Sequence, residues 1–298
     1  MAESLPDWQT AFLTRNRLPV EYMGSALKWF NPLGDVLAKH QSGADGALLV
    51  AVNGSQGSGK STLCDYLCSL LQAEYGLACI SLSLDDFYLT AHQRRQLSMN
   101  VHPLLATRGA PGTHDMGLLS RTLDGLLAGD AVSVPRFDKS ADDRVPDSQW
   151  QQVQQPVQLV LLEGWCMGAM AQPVDELVEP INALEINDDA DGRWRNYVNS
   201  VLTEKFSPLY RRVDRWVMLQ APSFDCVYEW RLEQEQKLAS NGSGDAIMNA
   251  AEIERFIQFY QRLTEHCLSR LPARVDHLYR LDEHRNIQSY VAATESKV

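Results

Sequence analysis

The 298-residue sequence contains no uninterrupted run of 18 apolar residues, so no helix of bilayer-spanning length is expected. Its first ten residues lack a basic segment followed by an apolar one, and no secretory signal is expected there. The six cysteines (Cys64, Cys68, Cys79, Cys166, Cys226 and Cys267) form no C-x-x-C pair, and a chain this long does not need disulfide staples. Cys64 and Cys68 stand four apart on a predicted helix, where buried small side chains explain them better than a metal or redox pair. Basic residues are the minority, with 27 Lys and Arg against 38 Asp and Glu, for a net charge of −11. No basic stripe is visible, so a nucleic-acid partner is not expected. Internal repeats and low-complexity tracts are missing too. What remains has the composition of an ordinary soluble globular protein, expected in the cytoplasm with no membrane partner. Nothing in the sequence specifies an oligomeric state.

Residues 1–45 read as short helices, with Trp8, Phe12 and Leu13 on a partial apolar face and a second stretch from Asn31 and Pro32 to near His40. They are expected as an N-terminal helical extension to one domain over 46–298. Residues 47–52 are a short apolar run bounded by turn formers, which suits a buried parallel strand. Leu63, Leu67, Leu70 and Leu71 then recur at helical spacing, and Gly76 ends that helix. Further strands are predicted over 79–84, 131–137, 159–162, 215–220 and 277–281. Helices are predicted over 115–128, 224–239 and 249–270, the last two joined by a glycine-bearing segment from Ser240 to Gly244. The stretches 90–115 and 138–156 read as polar loops. Strands alternating with helices predict an α/β fold with a doubly wound parallel sheet.

The sharpest local signal is Gly54, Ser55, Gln56, Gly57, Ser58, Gly59, Lys60 and Ser61, a full match to G-x-x-x-x-G-K-[ST], with Thr62 opening the following helix. Glycines permit a wrapped backbone that aims several N–H groups at one anion, and the helix adds the positive end of its dipole. Lys60 is expected on the β and γ phosphates of ATP and the Ser61 hydroxyl on Mg²⁺. Two acidic positions follow at predicted strand ends, where ligands of open parallel sheets bind. Asp85 and Asp86 close the second strand, and either could serve a hydroxyl acceptor as base. Glu163 ends the apolar run of residues 160–162 in the form of a Walker-B strand and is the second candidate metal ligand.

These pieces together resemble the kinase superfamily that contains uridine kinase, phosphoribulokinase and pantothenate kinase. Uridine kinases end their second strand Asp-Ser-Phe-Tyr, which aligns the catalytic Asp with Asp85 and leaves Asp86 on the serine. Further segments are similar to the D-glycerate 3-kinase family of plants, fungi and bacterial relatives. Arg108, Gly109, Ala110, Pro111, Gly112, Thr113, His114 and Asp115 match its Arg-Gly-x-Pro-Gly-Thr-His-Asp signature. Pro135, Arg136, Phe137, Asp138, Lys139 and Ser140 match its Pro-x-Tyr-Asp-Lys-Ser segment, with Phe137 in place of Tyr. Trp230, Arg231, Leu232 and Glu235 match its Trp-Arg-Leu-x-x-Glu helix.

The resemblance implies a P-loop kinase fold with a helical lid over about 224–270 and substrate loops over about 90–156. It implies an ATP-dependent kinase that transfers the γ-phosphoryl group to a small hydroxy acid, with D-glycerate to 3-phosphoglycerate singled out. A carboxylate acceptor needs cations, for which Arg108, Arg136, Lys139 and Arg144 are candidates. By analogy Asp115 would bind substrate hydroxyls with His114 beside it, and Arg231 would be the lid arginine. His114 and Asp115 could also be a helix-capping pair. The adenine pocket is not legible; His284, Arg285 and Asn286 are a suggestion. Alternative readings are a kinase for a nucleoside, pantothenate or a sugar acid, and a nucleotide-binding switch acting on a protein.

Overall fold

In the computed structural model, which describes residues 5–240 and 248–293, three helices precede the first strand: α1 (Asp7–Asn16), α2 (Tyr22–Trp29) and α3 (Asn31–Ser42). Then come β1 (Leu48–Gly54), α4 (Lys60–Tyr75), β2 (Cys79–Ser83), α5 (Ala91–Asn100) and α6 (Met116–Ala128). Four short strands follow: β3 (Val132–Val134), β4 (Phe137–Asp138), β5 (Asp143–Arg144) and β6 (Gln151–Val153). The chain continues through β7 (Leu159–Gly164), α7 (Ala183–Asp188), α8 (Arg193–Val201), α9 (Ser207–Tyr210) and β8 (Arg215–Gln220). It closes with α10 (Phe224–Ser240), α11 (Ala250–Arg270), β9 (His277–Leu281) and β10 (Ile287–Ala292).

The main sheet has the order β10-β9-β8-β1-β7-β2. β9, β8, β1, β7 and β2 are mutually parallel, and every residue of β1 and β7 is buried, as their apolar runs require. Side chains alternate between two cores. Leu49 and Ala51 of β1 join Val160 and Leu162 of β7 in a cluster with α6, α8 and α11. Val50 and Val52 join Leu159 and Leu161 in a second cluster with α1 to α4. In that second core Tyr66 of α4 takes the rings of Trp8, Phe12 and Phe30 at centroid distances of 5.5, 5.2 and 5.6 Å. Cys64 is buried there, while the Cys68 thiol lies 3.0 Å from that of Cys79 on β2. Among the described residues no helix is long and apolar enough to cross a membrane.

The expected α/β sheet of parallel strands is present, and a further strand, β10, joins its edge antiparallel to β9. The strand was missed because Gln288 and Ser289 interrupt its apolar pattern at an exposed edge. Asp282 builds the connecting turn by accepting from the backbone of His284 and Asn286, with Arg285 at φ +68°. Residues 131–137 are not a strand of the main sheet. β3 pairs only with β6 in a ribbon, and Phe137 belongs to the hairpin of β4 and β5. Pro135 supplies no N–H, and the Val132, Ser133, Val134 alternation suits a ribbon with one wet face.

The loop region is organised around Arg94, which is 1% exposed. Its guanidinium donates to the carbonyls of Leu89, Ala106 and Asp142 at 2.7, 3.2 and 2.9 Å and to the Asp142 carboxylate at 2.6 Å. One side chain therefore ties α5 to the loop before residue 108 and to the β4–β5 hairpin. Arg94→Ala would leave buried carbonyls without donors, and a loss of about 3 kcal/mol is expected. Urea unfolding measures it as a lower midpoint; an unchanged midpoint would show that water replaces the guanidinium without cost.

Candidate active site

The carboxyl ends of β1, β7 and β2 lie level, with Val52 opposite Glu163 and Glu163 opposite Ser83. Asn53 fixes this edge by donating to the carbonyls of Trp165 and Met167 at 3.1 and 2.6 Å. From β1 the chain wraps through residues 54–59, with Gly57 and Gly59 at φ +78° and +91°, where a side chain would be strained. A Cβ on Gly57 would also lie 3.0 Å from the Cβ of Trp230. α4 then starts with no side-chain cap, leaving its first N–H groups to the loop's concave face. The Ser55 and Ser58 hydroxyls are buried without partners among the described residues, which fits an anion-binding cradle. Lys60 bends back to the Ser55 carbonyl at 3.1 Å and stands 4.0 Å from Glu163. Ser61 Oγ donates to Glu163 Oε1 at 2.9 Å, so the two expected metal ligands meet, and their oxygen donors suit a hard cation.

Beyond β2 the two acids diverge. Asp85 Oδ1 accepts from the Tyr88 hydroxyl at 3.0 Å and Oδ2 from Lys139 at 2.6 Å. Burial pushes its carboxyl up, but Lys139 and Tyr88 outweigh that and hold it below the usual range. Asp86 takes the Phe137 N–H at 3.1 Å and Arg136 at 2.9 Å, yet burial leaves its carboxyl raised. Asp86 thus braces the hairpin by both oxygens. At the hairpin tip, Asp138 accepts from Ser140 N at 2.8 Å and Ser140 Oγ at 2.5 Å, and this turn presents Lys139 toward Asp85.

The segment from Arg108 to Asp115 is a shaped loop. Gly109 and Gly112 sit at φ +137° and +104°, and a Cβ on either would collide with Tyr260 or Tyr197 at 2.4 or 2.6 Å. Buried Thr113 accepts from Gly109 N and donates to the Ala110 carbonyl. The backbone of residues 113–115 pairs with that of 87–89, setting His114 opposite Tyr88 and close to Asp85. Asp115 caps α6 through Leu118 N at 2.9 Å, and its other oxygen faces Arg144 at 3.4 Å. Arg144 also donates to the Tyr88 carbonyl at 2.8 Å. Arg108 pairs with Asp142. His114 is buried, stacks on Tyr88 at 4.5 Å, and burial lowers its ring to about 4. It is neutral near pH 7 and supplies no charge for an anion.

Arg231 lies on α10 with its guanidinium over the Phe256 ring of α11, 5.3 Å from the centroid. The Gly242 and Gly244 hinge expected between these helices lies outside the described residues.

A model described as the phosphoribulokinase/uridine kinase family matches residues 49–194. An uncharacterized kinase of Schizosaccharomyces pombe is 32% identical over 226 residues, covering 71% of this chain and 78% of its own. The chain belongs to the phosphoribulokinase/uridine kinase family. The chloroplastic D-glycerate 3-kinase of Arabidopsis thaliana is also 32% identical over 226 residues, which span 72% of this chain but 46% of the plant protein. The solved D-glycerate 3-kinase of Cryptococcus neoformans superposes with a TM-score of 0.69 at 28% identity, covering 86% of this chain and 95% of its own.

Membership makes this phosphoribulokinase/uridine kinase relative an ATP-dependent phosphotransferase of the P-loop superfamily. Several residues of its site make contacts that their place in the sequence does not reveal. Tyr88 binds Asp85, Trp165 donates to the Gly109 carbonyl at 3.2 Å, and Trp230 covers Gly57 while donating to the Glu283 carbonyl at 2.6 Å. Arg285 lies 5.9 Å over the Trp230 ring, so the suggested base-binding segment adjoins the cradle's roof. Asp142, at φ +52°, joins Arg94 and Arg108.

Because the His114 ring titrates near 4 when folded against about 6.5 unfolded, the unfolded chain binds more protons between those values. Stability is therefore lost as pH falls from about 6.5 to about 4, by on the order of 3 kcal/mol from this residue. His114→Gln should remove that part of the slope in urea titrations across the window. An identical slope in wild type and variant would contradict the buried neutral ring.

Proposed function

We propose that the protein is an ATP-dependent D-glycerate kinase that phosphorylates the 3-hydroxyl. The observation that carries this is the set of four cationic side chains, Arg108, Arg136, Lys139 and Arg144, gathered on the loops around Asp85, Asp86 and Asp115. A nucleoside acceptor needs no such group, whereas a small hydroxy acid does. The two relatives that carry the D-glycerate 3-kinase name point the same way.

In this mechanism the amides of residues 54–62 and the Lys60 ammonium hold the phosphates of ATP. Ser61 and Glu163 would hold Mg²⁺, which neutralises charge on the phosphate oxygens when bound. Asp115 orients an acceptor hydroxyl, and Asp85 accepts its proton as the oxygen attacks the γ-phosphorus. A new O–P bond forms, the bond to the β,γ-bridging oxygen breaks, and ADP leaves. Arg231 approaches from α10 to neutralise the phosphoryl group in transit. Tyr88, stacked on neutral His114, keeps Asp85 in one orientation.

Lys60→Ala is expected to lower kcat about 10³-fold. Asp85→Asn should leave ATP affinity unchanged and abolish transfer; unaltered transfer would remove Asp85 from the role of base. Coupled ADP detection with D-glycerate, uridine, pantothenate and a sugar acid tests the acceptor, with D-glycerate expected to give the highest kcat/KM. A higher value for any other would overturn that choice. Turnover responding only to a protein partner would favour a switch.

A further inference from the structure

Each of the four cations on the acceptor side is already paired with an acid of the same loops: Arg108 with Asp142, Arg136 with Asp86, Lys139 with Asp85 and Arg144 with Asp115. An incoming carboxylate therefore competes with these acids for a cationic partner, and the pairs differ in how firmly they are held.

Three are anchored twice. Arg144 is 12% exposed and also holds the Tyr88 carbonyl. Arg136 also donates to Gln151 at 2.9 Å, and Asp86 is fixed by the Phe137 N–H. Arg108 also donates to the Lys139 carbonyl, and its partner Asp142 is held by buried Arg94. Lys139 differs: it is 62% exposed, it stands on the tip of a two-residue-per-strand hairpin, and among the described residues its ammonium has Asp85 as its hydrogen-bond partner. A flexible four-carbon stem in solvent can swing at little cost.

The partner it would leave is the group assigned as base. With an ammonium at 2.6 Å on Oδ2 and the Tyr88 hydroxyl on Oδ1, Asp85 is a weak proton acceptor, since a neighbouring cation stabilises its ionised form. We propose that Lys139 is a movable cap on Asp85, which a carboxylated acceptor draws off by exchanging one ion pair for another and which water or a neutral polyol leaves in place. This rests on Asp85 acting as base, as above. The exchange moves no proton and breaks no covalent bond. It uncovers Asp85 as the acceptor hydroxyl arrives, so the acceptor's charge contributes to kcat and wasteful hydrolysis of ATP is held down.

The test is Lys139→Met, which keeps an unbranched side chain one atom shorter and removes its charge. Two readouts are taken on the full chain, with thermal unfolding to confirm the fold: ATP hydrolysis without acceptor, and the ratio of kcat/KM for D-glycerate to that for glycerol. Hydrolysis is expected to rise at least about tenfold, and the ratio to fall by at least about tenfold. An ordinary carboxylate-binding lysine would give a raised KM for glycerate with hydrolysis unchanged or lowered, and that result overturns the cap. If wild type transfers to no carboxylated acceptor, the acceptor assignment fails, while the hydrolysis arm still decides the cap because it requires only ATP.

Discussion

The parallel register of three adjacent strands is the constraint on which the rest of the site depends. Pairing of β1 with β7 and of β7 with β2 puts Val52, Glu163 and Ser83 side by side at one edge of the sheet. Whatever follows each strand must then emerge into the same crevice: the wrapped loop and Lys60 after β1, Glu163 at the end of β7, and Asp85 after β2. A shift of one residue in the pairing of β7 with β1 would turn the Glu163 side chain to the other face of the sheet and break its contact with Ser61. The two cores, one against each face, hold that register because they take alternate residues of β1 and β7. Asn53 adds a polar tie from β1 to the segment after β7.

The second level of organisation is electrostatic. The chain as a whole carries a net charge of −11, yet each of the four candidate cations on its acceptor loops meets an acid. Such matching lets a charged cleft exist without a large desolvation penalty, because each group keeps a partner while part of its shell is removed. It also divides labour between neighbours of the same type. Asp86 and Asp142 act as braces with most acceptor positions taken, while Asp85 is 27% exposed and held on one side by an exposed ammonium. Adjacent aspartates in the sequence thus acquire different chemistry from what the hairpin beyond them offers.

The phosphate loop and the acid-ended strands were legible because they depend on local sequence: glycines where φ is positive, then lysine and serine at a helix start, and apolar runs ending in Glu163 or Asp85. The alternation of strands and helices carried the architecture for the same reason. What could not be read were contacts between residues far apart in the chain. Nothing in the spacing marks Arg94 as a buried hub, or Tyr260 and Tyr197 as the walls that make Gly109 and Gly112 obligatory. The antiparallel β10 was hidden because an edge strand needs little apolar patterning, and the segment over 131–137 misled because valines suit a ribbon as well as a buried strand. His114, adjacent to Asp115 in a motif of polar residues, turned inward to stack on Tyr88.

The most direct test of the account is a crystal structure with ADP, Mg²⁺ and D-glycerate bound together. The account predicts the diphosphate inside residues 54–61, the metal at Ser61 and Glu163, and the 3-hydroxyl of glycerate against Asp85. A diphosphate lying outside that loop, or an acceptor hydroxyl remote from Asp85, would contradict it.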